Sequence, residues 1–366
     1  MQNAKQPAFH GSDLEQIAEY YNLPKKEIIS FGANVNPLGL SARVKEKLAE
    51  NLDIISRYPD RNYTTLKETI SAYCKIPVQY IVTGNGSTEL ISLLITQLKA
   101  SHAVVIGPTY SEYQRELALT GGHISFYTLK ESENFCLDIN DFMEQLPKDA
   151  DLIILCNPNN PTSSAVPISD LENLIASCRK RGVFVMVDET YAEFAPSVDE
   201  ISAVPLTRSF DNLMVIRGVS KFFAAPGLRL GYGITSSKDF LKALQIHQNP
   251  WSVSSIAAFA GEEMLKDAGY IEKTRNLILS EKKRICQVLD GFQNARYYEP
   301  YANFILVRIE KEGLSSFQVF EHAIRQKMMI RDCSSFEELE GEYIRFCIMH
   351  PEDNDRLLKC LGEILA

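Results

Sequence analysis

The chain has 366 residues, 45% of them hydrophobic and 23% charged, with a formal net charge of −9. That length exceeds what one core usually serves, so two domains are expected, and the apolar content is ample for both. No Lys/Arg-rich run gives a nucleic-acid footprint, and no segment approaches about 18 consecutive apolar residues, so neither nucleic acid nor a membrane is an expected partner.

The opening MQNAKQPAFHGSDLEQ lacks the apolar segment of a secretory signal, which points to a cytoplasmic protein. The cysteines at 74, 136, 156, 178, 286, 333, 347 and 360 form no C-x-x-C pair. They read as buried free thiols of a reducing compartment, and no metal is expected. The first thirty residues have no evident sheet partner in the next part of the chain and are expected to pack with a smaller unit further on.

At 84–98, GNGSTELISLLITQL places two glycines and two hydroxyl residues at the start of an amphipathic helix. Exposed N–H groups and the helix dipole make such an end a phosphate site, here through Gly86, Ser87 and Thr88. An ordinary helix capped by Ser87 or Thr88 is the alternative. The apolar runs HAVVIG (102–107), LIILC (152–156), VFVMV (183–187) and LMVI (213–216) then alternate with helical patterns such as 170–182. Strands apolar throughout, separated by helices, predict a mostly parallel sheet covered on both faces, with ligands bound beyond its carboxyl ends. Polar segments follow those ends: NPNNPT after 156, DETY after 187 and RGVSK after 216. Past residue 240 one long helical stretch is predicted from Ser254 to Leu289. The candidate strands FILVRI (304–309) and YIRFCIM (343–349) follow, as in a smaller α+β unit.

Read together, CNPNNPT (156–162), VDETY (187–191) and SKFFAAPGLRLGY (220–232) supply what a phosphorylated pyridine aldehyde requires. They offer a lysine for the imine, a carboxylate for the ring nitrogen, donors for the phenolate and an arginine for the phosphate. A dinucleotide-dependent oxidoreductase is the rival from another class. It fits poorly, because G-x-G-x-x-G would need glycine at Glu89.

Along nearly its whole length the chain resembles the fold-type-I, class I/II aminotransferases, which have an aspartate-aminotransferase-like α/β fold and use pyridoxal 5′-phosphate (PLP). The resemblance implies that Lys221 forms the Schiff base and Asp188 pairs with the pyridine nitrogen. Asn160 and Tyr191 would bond the phenolate oxygen, and Tyr110 would stack on the ring. Arg229, Ser220 and the Gly86–Thr88 turn would hold the phosphate. Tyr58, in R-Y-P-D, would reach the phosphate across a homodimer interface, so that active sites are shared. Arg345 would hold the substrate carboxylate. It implies a large PLP-binding α/β domain, 34–242, and a small α+β domain from 1–33 and 243–366. A catalytically silent PLP-fold protein is disfavoured by the joint presence of Lys221, Asp188 and Arg345. Two positions depart from the family pattern: Ser163 stands where N-P-T-G has glycine, and Gly218 where Ser or Thr helps bind phosphate.

Within the family, HGSD (10–13), FGANVNPLG (31–39) and MMIRDCSSFEEL (328–339) resemble the threonine-phosphate decarboxylases, relatives of the histidinol-phosphate aminotransferases. That branch implies His10, Asn34 and Arg331 at the substrate, the first and last near a substrate phosphate. The bland alternatives are an exposed terminus for His10 and a surface ion pair for Arg331. The expected function is decarboxylation of a small phosphorylated L-amino acid, L-threonine O-3-phosphate first and L-serine O-phosphate next, a step of cobalamin biosynthesis. An aminotransferase is the alternative.

Overall fold

The computed structural model of the protein describes residues 9, 11, 13–339 and 341–366. Its strands are β1 (Ile29–Ser30), β2 (Ile81–Gly84), β3 (His102–Gly107), β4 (His123–Thr128), β5 (Leu152–Cys156), β6 (Phe184–Asp188), β7 (Leu213–Gly218), β8 (Gly231–Ile234), β9 (Ala295–Tyr297), β10 (Phe304–Ile309), β11 (Met328–Met329), β12 (Arg331–Asp332) and β13 (Tyr343–Cys347).

Seven strands make one sheet in the order β2-β8-β7-β6-β5-β3-β4. The β4, β3, β5, β6 and β7 pairings are parallel, while β8 runs antiparallel to both its neighbours. All residues of β3, β5 and β7 are buried, which accounts for their unbroken Val/Ile/Leu runs, whereas the edge strand β4 is largely open. Successive side chains of β5 serve opposite faces. Leu152 and Ile154 pack with Leu90 and Leu94 of the helix Gly86–Leu98, and Ile153 and Leu155 with Leu171 and Leu174 of the helix Ile168–Lys180. The parallel register sets Cys156 beside Asp188 and Asp188 beside Ile216, so the segments after β5, β6 and β7 emerge together at one edge.

A second sheet, β12-β13-β10-β9, is antiparallel. Residues 29–31 join this later part of the chain. β1 pairs in parallel with β11, Phe31 donates its N–H to the Met329 carbonyl (2.8 Å), and Cys347 donates to the Phe31 carbonyl (2.8 Å). No helix among the described residues is long and apolar enough to cross a membrane.

Two expectations need correction. The helical stretch from Ser254 to Leu289 is two helices, Ser255–Leu265 and Ala268–Leu289. Asp267 interrupts it, because its carboxylate accepts the Tyr270 N–H (3.1 Å) as the cap of the second helix and also accepts the Ser41 hydroxyl (2.5 Å). Apolar periodicity continues through such a break, so pattern alone does not reveal it. The cysteines are all free, but only five are buried: Cys74 and Cys286 are half-buried and Cys136 is exposed.

The cap predicts that Asp267→Ala lowers stability by about 1–2 kcal/mol. Asp267→Asn should lose clearly less. The shift in the urea midpoint measures both.

Candidate active site

Beyond the carboxyl ends of β5, β6 and β7 lies a cavity of about 800 Å³. The structure brings Asn34, Ser87, Thr88, Tyr110, Asn160, Asp188, Tyr191, Ser220, Lys221, Arg229, Arg331 and Arg345 to its wall.

Lys221 follows β7, and its amine donates to the Ala33 carbonyl at 2.8 Å. Burial, reinforced by the Arg345 charge, pulls its pKa down to about 8. A larger share of the amine is therefore neutral near pH 7 than for an exposed lysine, as a nucleophile that must attack an aldehyde requires.

Asp188 ends β6 and is 4% exposed. Burial pushes its carboxyl pKa up, and hydrogen bonds from Thr190 and Tyr113 oppose the shift. One oxygen, Oδ1, accepts the Thr190 N–H (2.9 Å) and hydroxyl (2.5 Å), while Oδ2 accepts the Tyr113 hydroxyl (2.8 Å). A carboxylate has about four acceptor positions, so protein donors fill about three and leave one on Oδ2 for a further donor. Neither Thr190 nor Tyr113 was singled out from the sequence. The signals were there: D-E-T permits an Asp to bond the backbone two residues on, and Tyr113 stands one helical turn after Tyr110.

The start of the glycine-opened helix differs from the capped-helix alternative. The helix starts at Gly86 with Asn85 as its cap residue, so Ser87 and Thr88 lie inside the first turn. Gly86 has φ +79°, and a Cβ there would collide with the Arg229 guanidinium. Glycine thus lets the cation lie against the helix N-terminus, a ready anion site. A side chain at Gly218 would press on the Leu230 carbonyl, 3.3 Å from the Cβ position, and would come within 4.0 Å of Ser87 Cβ.

Ser163, the other departure, is fully buried with φ +63°, a backbone conformation that favours glycine. Its hydroxyl accepts the Ala302 N–H (2.9 Å) and its carbonyl the Tyr301 N–H (2.9 Å), bonds that offset the strain and tie the turn carrying Asn160 to the approach to β10.

Arg345 and Arg331 are register partners on β13 and β12, 4% and 7% exposed, and such partners project on the same face. Arg345 donates to Gly32 O (2.8 Å) and Asn160 Oδ1, and its guanidinium lies over the Phe304 ring at 5.2 Å. Arg331 donates to Phe9 O and Ser335 Oγ (2.6 Å) and lies over Phe336 at 5.7 Å. Burial, with the Arg345 charge beside it, pulls the Arg331 pKa down. Burial overturns the surface-ion-pair alternative for Arg331. Ser335 is another contact that sequence reasoning passed over within C-S-S-F. Asn34, at φ +54°, donates to the Tyr191 hydroxyl (3.5 Å), and burial pushes the Tyr191 phenol up.

Tyr58 is not brought to this cavity within one chain. It is 82% exposed, stacks with Trp251 at 4.9 Å, and borders a separate cavity of about 350 Å³ with Asp53, Arg57 and Phe259. His10 lies outside the described residues.

These residues fit the expected cofactor. Beside the amine and the open acceptor position on Asp188, Asn34 Oδ1 and Arg345 Nε are buried without a hydrogen-bond partner among the described residues. Such groups are costly unless a ligand engages them.

Comparison with known proteins gives the same direction. Residues 26–361 match the family described as aminotransferase class I and II. The chain is 32% identical over 357 residues to the threonine-phosphate decarboxylase of Salmonella typhimurium, covering 98% of this chain and 96% of that protein. It is 31% identical over 360 residues to the histidinol-phosphate aminotransferase of Methanococcus aeolicus, covering 97% and 95%. The fold superposes on the aspartate aminotransferase from Thermus thermophilus with maleate at a TM-score of 0.83 and 17% identity, covering 98% and 97%.

The lowered pKa of Lys221 predicts how protein stripped of cofactor captures PLP. The rate should rise with pH through a midpoint of about 8, well below the ordinary lysine value of 10.5. Stopped-flow absorbance across pH 6–10 (roughly the span needed to bracket the amine) reads this directly.

Proposed function

The chain belongs to the class I and II aminotransferase family, whose cofactor is PLP, and from that premise we propose that it decarboxylates a small phosphorylated L-amino acid, L-threonine O-3-phosphate first and L-serine O-phosphate next. The observation that carries this reading is the pairing of Arg331 with Arg345. Two guanidinium groups side by side and largely out of water repel one another, and their hydrogen bonds go to neutral acceptors. A substrate bearing a carboxylate and a second anion neutralises both, and each cation can bind its partner bidentately. Threonine phosphate has both groups; histidinol phosphate has the phosphate without the carboxylate.

In this reading Lys221, Asp188, Tyr191, Asn160, Tyr110, Ser87, Thr88, Ser220 and Arg229 hold the cofactor, with Gly86 giving its phosphate room. Bound PLP supplies an electron sink for a bond broken at the substrate Cα. Arg345 holds the substrate carboxylate, Arg331 the far phosphate together with His10, and Asn34 lies against the substrate between them. Gripping both ends removes rotation about Cα, an orientation effect worth several kcal/mol, and so selects which Cα bond is broken. The Cα–carboxylate bond breaks, CO2 leaves, and Lys221 returns a proton to Cα. The product from threonine phosphate is (R)-1-amino-2-propanol O-2-phosphate, a component for cobalamin assembly.

The same reading makes the protein a cytoplasmic homodimer with a large cofactor-binding domain, 34–242, and a small one from 1–33 and 243–366. Support for the dimer comes from large apolar side chains left exposed: Leu52, Ile55, Tyr58 and Trp251 are 52%, 64%, 82% and 41% exposed. Exposed apolar clusters of this kind mark interaction surfaces. Across that face Tyr58 would reach the neighbour's phosphate.

The decisive assay follows CO2 and keto-acid formation separately. We expect CO2 from L-threonine phosphate and no net amino transfer to 2-oxoglutarate. Glutamate formation from histidinol phosphate and 2-oxoglutarate, without CO2 from threonine phosphate, would establish the aminotransferase instead. Arg331→Ala should weaken binding of the phosphorylated substrate by about 2–5 kcal/mol and raise abortive transamination relative to decarboxylation. Mixing inactive Tyr58→Ala and Lys221→Ala protomers should restore part of the activity, since one hybrid site carries neither change. No recovery under demonstrated subunit exchange would refute the shared site.

A further inference from the structure

Tyr113 sits on the short helix Glu112–Ala118 and is 1% exposed. Its neighbour one turn back, Tyr110, lines the cavity, and the two rings meet edge to face at 5.6 Å and 87°. The Tyr113 N–H donates to the Tyr110 carbonyl (3.3 Å), so one turn of chain fixes both rings. A phenylalanine would fill the same space. The hydroxyl is the part that packing does not require, and burying it is costly unless it has a partner. Its partner is Asp188 Oδ2 at 2.8 Å.

The consequence lies in the acceptor positions of Asp188. Thr190 occupies both on Oδ1, through its amide and its hydroxyl. Tyr113 occupies one of the two on Oδ2. Without Tyr113 the carboxylate keeps Oδ1 anchored, but Oδ2 loses its only donor among the described residues, on a side chain that is 4% exposed. A carboxylate so placed is held less firmly in its ionised form and in one rotamer.

We propose that Tyr113 is a positioning residue for the cofactor: its hydroxyl holds Asp188 ionised and turned so that the remaining lone pair of Oδ2 meets the protonated ring nitrogen. This rests on the assignment of Asp188 to the ring nitrogen. Tyr113 itself touches neither substrate nor the reacting atoms.

The test is a binding measurement rather than turnover. Protein stripped of cofactor is titrated with PLP and with its 1-deaza analogue, in which the ring nitrogen is replaced by C–H while aldehyde and phosphate are kept. Wild type should prefer PLP. Tyr113→Phe should bind PLP about tenfold more weakly, equivalent to about 1.4 kcal/mol, and the analogue as wild type does. Tyr113→His, which keeps a donor, should recover part of the preference and covers the case in which the phenylalanine variant fails to fold. In an Asp188→Asn background Tyr113→Phe should change neither affinity. Equal loss for both cofactors would mean that Tyr113 only supports the fold, and undiminished preference for PLP would mean that it does not act through Asp188; either overturns the proposal. A wild type that binds the two cofactors equally would overturn the assignment of Asp188 itself.

Discussion

A carboxylate taken out of water at the end of a central strand is tolerable only if donors surround it, and much of this site is arranged around that requirement at Asp188. Parallel pairing puts Asp188 beside Cys156 and Ile216 at the carboxyl end of the sheet, where its donors among the described residues come from the loop that follows β6 and from the helix after β3. Thr190 and Tyr113 come from those two places. The same loop carries Tyr191 and the same helical turn carries Tyr110, so satisfying one buried charge also fixes two rings of the cavity wall. Lys221 lies beyond the neighbouring strand, and there too burial favours the neutral form. The two groups thus differ in what surrounds them: hydrogen-bond donors oppose the effect of burial at Asp188, whereas the Arg345 charge reinforces it at Lys221.

The sheet was legible because its central strands are buried on both faces. HAVVIG, LIILC and FILVRI coincide with β3, β5 and β10 residue for residue. Besides β1, β2 and β9, four strands escaped notice because another signal dilutes the apolar run or the strand is short. β4 (HISFYT) is an edge strand with polar positions turned outward, β8 (GYGI) is half glycine, and β11 and β12 are two residues each. The break at Asp267 escaped for a related reason: a cap residue one turn before a tyrosine leaves the helical period on either side intact.

The cavity residues were legible to the extent that their chemistry is carried by residue type. A glycine-opened helix, an aspartate, a lysine and three arginines each have few alternative uses in that order along the chain. Tyr113 and Ser335 did not stand out, because tyrosine in a core and serine in a loop are ordinary and one turn of spacing from Tyr110 is a weak signal. Their significance comes from what they touch, Asp188 in one case and Arg331 in the other. The Ser163 departure became intelligible only in three dimensions. The residue keeps the left-handed backbone that glycine would adopt, and adds an acceptor for the Ala302 amide that glycine cannot offer.

Arg331 and Arg345 stand opposite each other because β12 and β13 are hydrogen-bonded in that register. Their separation is therefore inherited from the spacing of strands in a sheet, about 4.8 Å, and not from loop conformation. A sheet cannot stretch by the length of a methylene, and a slip of one residue would turn one cation to the opposite face. The two cations thus spring from anchor points whose spacing is fixed by the backbone. Whatever that spacing serves, it can be adjusted only through the rotamers of the two long side chains, because the backbone hydrogen bonds that set it do not yield.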